Sequence, residues 1–195
     1  MSDLFSQPDG AATPLTDDEK RDLKPSSISN RAELNEAEQE NILRGQAWAL
    51  GRERDILTEE FVKKLHYHMF NDVWWWAGKY RTSQRNIGID YWRIPEDLGN
   101  LLADTRTWIE KKSYPPNEIA VRFHHRLVQI HPFPNGNGRF ARLAADLLAA
   151  RLGERPFSWG SESLRDASEA RKRYIQALRA ADKYDYGLLI SFARS

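Results

Sequence analysis

The chain has 195 residues, with 29 Lys and Arg against 28 Asp and Glu. That length allows one domain with a buried core, and the balanced charge gives no global field toward nucleic acid or a membrane surface. Cysteine is absent, which excludes disulfides and thiol chemistry; with no basic lead into an apolar run at MSDLFSQPDG and no apolar stretch of membrane-spanning length, a cytoplasmic protein is expected.

Residues 1 to about 30 form a lead segment, rich in Asp, Ser, Pro and Gly at its start, and are expected to be loosely held. From Arg31 a helical stripe runs through Leu34, Ala37, Asn41, Ile42, Gly45, Trp48 and Ala49 to an end near Gly51. Thr58 is placed to cap a second helix with Phe61, Leu65 and Met69 four apart on one face. A third is expected to start at Pro95 and carry Leu98, Leu101, Leu102 and Trp108; Asn117 caps a fourth that ends at Ile130. The fifth starts near Gly136 with Leu143 and Leu147. A sixth covers about Ser161 to Ala181 with Leu164 and Leu178 inward, and a short seventh runs from Tyr186 to Ala193. The exception to this all-α pattern is RTSQRNIGIDYWRI, Arg81 to Ile94, where Ile87, Ile89 and Tyr91 alternate with Gly88, Asp90 and Trp92. A period of two around a glycine reads as a small β-hairpin whose open edge suits pairing with another chain.

HPFPNGNGRFAR, His131 to Arg142, carries the chemistry. Gly-Asn-Gly at a helix entry lets a ligand approach the backbone, where the N–H groups of the first turn face an anion. Arg139 and Arg142, three apart, lie on one face and suit several phosphate oxygens. His131 sits at the edge of this site, placed to take a proton. The site is not a Walker loop, since GxxxxGK[ST] is absent. His66 and His68, two apart on a helix, read as structural or surface residues. Of His124 and His125, one is expected near the loop and the other in solvent. Trp74 to Trp76 read as core and not as a base-stacking platform.

The stretch HPFPNGNGRFAR resembles the Fic signature HPFx[D/E]GNGRxxR, WWWAGKYR resembles that family's WAG-x-x-R, and RKRYIQALRAAD is similar to its C-terminal helix. The PNGNGR loop further resembles the "mobile mystery protein B" group. The resemblance implies an all-α Fic fold, a helical bundle around a helix–loop–helix site with a small hairpin flap, over a core from about 53 to 195. It implies transfer of AMP from ATP to a Tyr, Thr or Ser hydroxyl of a target protein, with His131 as general base. Phe133 fixes the loop, Gly136, Asn137 and Gly138 form the anion hole, Arg139 holds the β- and γ-phosphates, and Arg142 reaches the γ-phosphate. The flap residues Asn86, Ile87, Gly88 and Ile89 correspond to the segment that clamps the target.

Two positions depart from the family pattern. The acidic residue expected to bind Mg²⁺ is Asn135 here, a neutral amide that holds a hard cation less firmly. The family's inhibitory [S/T]xxxE[G/N] helix is matched at residues 31–52 only by Glu40–Asn41, with Glu36 at the Ser/Thr position; Glu40 is the expected brake. The alternatives are a phosphotransferase, or a catalytically weak nucleotide-binding module of a toxin–antitoxin pair. Direct nucleic-acid binding is not expected.

Overall fold

The computed structural model describes residues 17–160 and 167–195. Eight helices follow in order: α1 (Asp17–Arg21), α2 (Arg31–Leu50), α3 (Glu59–Phe70), α4 (Ile94–Glu110), α5 (Pro116–Ile130), α6 (Asn137–Arg151), α7 (Ala167–Ala181) and α8 (Gly187–Arg194), with a single 3₁₀ turn at Tyr91–Arg93. The all-α expectation holds, and the helix starts explain why. Thr58 Oγ1 accepts from the Phe61 N–H at 3.1 Å. Asn30 Oδ1 accepts from the Glu33 N–H at 3.1 Å, while Glu33 reaches back to the Ser29 N–H at 2.7 Å. Asn117 is not the cap of α5; Pro115 precedes the helix, and the Asn117 side chain accepts from Arg194 of α8 instead. Leu164, expected to face inward, lies outside the described residues.

Helix α2 packs on α3, α4 on α5, α5 on α6, and α7 on α8. Helix α6 buries Ala141, Ala144, Ala145 and Ala149, and α5 buries Phe123, Leu127 and Ile130. Short side chains on one partner face long ones on the other, which lets the two helices pack closely. This helix pair is joined by residues 131–136, so the loop is anchored at both ends in the core.

The lead segment is more tightly tied than its composition implies. Its described part lays residues 22–24 beside 73–75: Trp75 N–H donates to the Asp22 carbonyl and Lys24 N–H to that of Val73, both at 2.9 Å. Glu19 pairs with Arg85 in a contact that leaves both side chains nearly covered.

No β-strand occurs among the described residues beyond an isolated bridge between Leu23 and Trp74, so the expected hairpin is absent. A buried arginine explains the difference. Arg81, 2% exposed, donates to the carbonyls of Ser83 (3.0 Å), Ile89, Ile130 (3.4 Å) and His131 (2.7 Å). A guanidinium with five donors has taken two carbonyls of this segment, Ser83 and Ile89, and tied them to the loop carbonyls of Ile130 and His131. The alternation of Ile87, Ile89 and Tyr91 is therefore a loop wound around a cation, with Ile87 and Trp92 left exposed.

Close approach of α2 to α3 depends on Gly45, where an added Cβ would lie 2.8 Å from the Met69 backbone. Gly45→Ala gains about 1 kcal/mol of helix propensity but incurs an overpacking cost of about 1–3 kcal/mol. The expected net result is a lower urea midpoint; an unchanged or raised midpoint would show that α2 can move away from α3 freely.

Candidate active site

The loop begins where α5 stops. Its last turn closes with His131 N–H bonded to the Leu127 carbonyl at 3.0 Å, and His131 itself adopts a left-handed conformation, φ 52° and ψ 58°. A non-glycine residue there costs on the order of 1 kcal/mol, which the surrounding contacts hold in place. The other end is fixed by Asn137, the first residue of α6. Its Oδ1 accepts from the Phe133 N–H at 2.9 Å and its Nδ2 donates to the Phe133 carbonyl at 2.8 Å. One buried amide thus satisfies both main-chain groups of the residue at the centre of the loop.

Phe133 is fully buried and stacks on His66, with ring centroids 3.7 Å apart. Gly78 N–H donates to His66 Nδ1 at 3.0 Å, so Nδ1 holds a lone pair and Nε2 carries the hydrogen donated to the Asn135 carbonyl at 3.1 Å. Only the neutral tautomer satisfies both bonds. Burial accordingly pushes the His66 pKa down to about 3. Gly136 has φ 76°, and a Cβ there would lie 2.4 Å from the Phe70 ring. Gly138 has no such internal reason: an added Cβ would meet nothing within 4 Å. The space over the first turn of α6 is open, and the N–H groups of that turn have no carbonyl within the helix to bond.

His131 is 6% exposed, and burial, then the charge of Arg81, lowers its pKa to about 4 against a hydrogen bond to the Val128 backbone. The imidazole is therefore neutral near pH 7. A neutral imidazole keeps a ring lone pair, and that lone pair is the group that can accept a proton.

Arg139, on the first turn of α6, donates from Nη1 to Glu38 Oε2 at 2.9 Å, and its guanidinium lies 5.0 Å from the Phe70 ring centroid. Glu38 Oε1 accepts from the Trp74 indole N–H at 2.8 Å. Glu40, the expected partner of the arginines, is not at the site: it is exposed and pairs with Arg44 at 2.7 Å, one turn along its own helix. The register decides this. Leu34, Glu38, Asn41, Gly45 and Ala49 form the buried stripe of α2, whereas Glu40 is about 200° around the helix from Glu38. Arg142 lies further along α6, over the Tyr174 ring at 5.8 Å. The expected meeting of Arg142 with an α2 glutamate is replaced by one between Arg139 and Glu38.

Asn135 Oδ1 accepts from the Gly136 N–H at 2.6 Å. Among the described residues no group of three His, Cys, Asp or Glu side chains is placed to hold a metal. A neutral amide oxygen already bonded to its neighbour does not fit a protein-held Mg²⁺ by itself.

His66, Arg81 and Glu38 support this site although none is among the expected site residues; Arg81 is the arginine of the WAG-x-x-R match. The signal for His66 was present, because Val62, His66 and Phe70 form a second i, i+4 row beside Leu65 and Met69. Both His124 and His125 are buried, contrary to the expectation that one meets solvent: His124 bonds the Tyr174 hydroxyl at 2.9 Å, and His125 pairs with Asp182 at 2.9 Å. Trp74 and Trp76 are core, as expected, but Trp75 is 60% exposed.

The fold and loop define a helical protein in which a glycine-bearing helix–loop–helix turn lies next to a buried neutral histidine. Residues 56–149 match the model of the Fic/DOC family. The chain is 28% identical over 147 residues to the protein adenylyltransferase Fic of Aedes aegypti, covering 73% of this chain and 28% of that one. It is 41% identical over 83 residues to the protein adenylyltransferase fic-1 of Caenorhabditis briggsae, covering 41% of this chain and 16% of that one. The chain thus spans less than a third of the length of either relative. Its fold resembles that of the BepC protein of Bartonella tribocorum, solved with bound AMPPNP, at a TM-score of 0.67 and 16% identity, covering 92% of this chain and 97% of that one.

The buried histidines make stability pH-dependent. His66 and His124 have folded pKa values of about 3 and His131 of about 4, all below the usual 6.5. The unfolded chain therefore binds protons below pH 6.5 that the folded chain refuses, and stability falls as pH drops toward 4. Asp146, raised by burial to about 6, opposes this with one proton. The net slope is about two protons, or about 3 kcal/mol per pH unit near pH 5. Urea unfolding at pH 7 and pH 5 measures it; equal stability at both would show that these imidazoles titrate normally.

Proposed function

We propose that the chain is a protein adenylyltransferase, transferring AMP from ATP to a Tyr, Thr or Ser hydroxyl of a target protein. The observation that carries this reading is the neutral His131 set beside the open first turn of α6, with Arg139 and Arg142 on that same helix. The names of the relatives and the AMPPNP bound to BepC support it.

In this reading the target oxygen attacks the α-phosphorus, a new P–O bond forms, and the bond to the β-phosphate breaks with pyrophosphate leaving. His131 accepts the hydroxyl proton. Gly136, Asn137 and Gly138 provide backbone close to the phosphates, Phe133 keeps the loop's course, Arg139 holds the β- and γ-phosphates, and Arg142 receives the γ-phosphate. Positioning and charge supply most of the acceleration in such transfers. The loop carrying Asn86, Ile87, Gly88 and Ile89 contacts the target; its support is that Gly88, φ 91°, lies against the His131 Cβ. Asn135 would be the protein-side neighbour of a Mg²⁺ carried in by the polyphosphate, an ion that would neutralise phosphate charge while being held chiefly by the phosphates themselves. The PNGNGR loop supports a place in the mobile mystery protein B group. A cytoplasmic protein suits this reading, and among the described residues no helix is long and apolar enough to cross a membrane.

Glu38 is the brake. While it holds Arg139, the guanidinium is engaged by a carboxylate where a phosphate should be. Glu38→Gln retains an acceptor for the Trp74 indole and removes the charge, so labelled transfer from ATP should rise several-fold. Glu40→Gly should leave it unchanged. His131→Ala should lower transfer by about 10²–10⁴ while ATP binding persists; full activity in that variant would remove His131 from the chemistry. Mass spectrometry of the modified protein separates this reading from the phosphotransferase and silent toxin–antitoxin alternatives: an adenylyl group, a phosphate, or no gain.

Asn135→Asp restores a charge beside the phosphates and should lower the Mg²⁺ concentration for half-maximal transfer. An identical metal titration in both proteins would place Asn135 away from the ion.

A further inference from the structure

The WWW run has a member that neither the fold nor the nucleotide site uses. Trp74 and Trp76 are 1% and 4% exposed and stack on each other with centroids 4.9 Å apart. Between them, Trp75 is turned outward and 60% exposed. Any polar residue would serve the backbone there, since Trp75 N–H already has its partner in the Asp22 carbonyl. An exposed indole is the kind of residue that anchors protein interfaces.

Trp75 borders a groove of about 410 Å³, lined also by Lys24, Lys63, Lys64, Tyr67, Trp74 and Lys79 among others. Four lysines on one small groove are out of proportion to a chain of nearly balanced charge. Two are matched by helix neighbours: Lys63 pairs with Glu59 at 2.8 Å and Lys64 with Glu60 at 2.6 Å. Such exposed i, i+4 pairs contribute roughly 0.3–0.5 kcal/mol and yield readily to a competing carboxylate. Lys24 lies 4.1 Å over the Trp75 ring. Tyr67 is 45% exposed beside them. The surface is thus an aromatic pair framed by ammonium groups.

We infer that this groove docks an extended acidic segment of another protein, with an apolar side chain against Trp75 and Tyr67 and carboxylates toward Lys64 and Lys79. Charge complementarity selects the acidic partner. Nucleic acid fits less well, because the groove lining holds no arginine to fork onto phosphates and no row of exposed rings for successive bases. The site is separate from the anion loop yet touches its supports. Trp74 holds Glu38, and Gly78, another lining residue, holds His66. The inference does not depend on which group the loop transfers.

The test is fluorescence anisotropy with the full chain and three labelled probes: a peptide alternating Asp or Glu with Leu or Phe, the same peptide with Lys in place of the acids, and an oligothymidine. The acidic peptide should bind, the basic one should not, and added salt should weaken binding. Lys64→Glu with Lys79→Glu should weaken it by about tenfold, as should Trp75→Ala, with ATP binding unaffected. If the reversed charges impair folding by circular dichroism, Lys64→Ala with Lys79→Ala replaces them. Equal binding of both peptides, no binding of the acidic one, or no effect of the lysine variants overturns the inference. So does preference for the oligothymidine, which would make the groove a nucleic-acid site. Sedimentation showing that Trp75→Ala abolishes self-association would assign it to a second copy of this chain and likewise overturn the inference.

Discussion

A single buried amide holds the loop together. Asn137 bonds both main-chain groups of Phe133, and because Asn137 is also the first residue of α6, the bond pair ties the course of the loop to the start of that helix. His131 lies two residues before the clamp and Arg139 two residues after it, so their separation is set by the same two bonds. The remaining supports act on neighbouring carbonyls: His66 takes that of Asn135, and Arg81 takes that of His131. A site built this way is organised before any ligand arrives, which is what transfer by positioning requires.

The electrostatics follow from the packing. His66, His124 and His131 are all buried and kept neutral, so the positive charge of the site is carried by arginines. Of these, Arg81 is committed to carbonyls, while Arg139 meets a carboxylate that is itself anchored by Trp74. The ion pair between Arg139 and Glu38 joins α2 to α6, and it is the contact through which the first large helix reaches the loop. Glu38 is buried and also accepts from the Trp74 indole, so truncating it leaves that N–H without its acceptor, which makes Gln, and not Ala, the informative replacement at Glu38.

Much of this was legible in the sequence. Helical periodicity gave the long helices from α2 to α6 and α8, Thr58 marked its cap, and the stretch from His131 to Arg142 announced an anion site. The hairpin was misread because a period of two measures only alternation; it cannot register that Arg81 draws the carbonyls of that segment inward. Glu40 was chosen by motif spacing, whereas the helical stripe through Leu34, Asn41 and Gly45 passes through Glu38. His66 was set aside as one of two nearby histidines, although its row with Val62 and Phe70 placed it in the core. For Glu38 and His66 the local pattern was silent because the deciding partners, Trp74 and the Asn135 carbonyl, lie 36 and 69 residues away in sequence.

The central claim is that the loop from His131 to Arg139 receives a nucleotide polyphosphate at the start of α6. The crystal structure of the Glu38→Gln protein with a non-hydrolysable ATP analogue tests it most directly. The expected result has phosphate oxygens bonded to the main-chain N–H groups at residues 137–139 and to the Arg139 guanidinium, with the α-phosphorus facing the His131 ring. Phosphates bound elsewhere on the chain, with that first turn untouched, would contradict it.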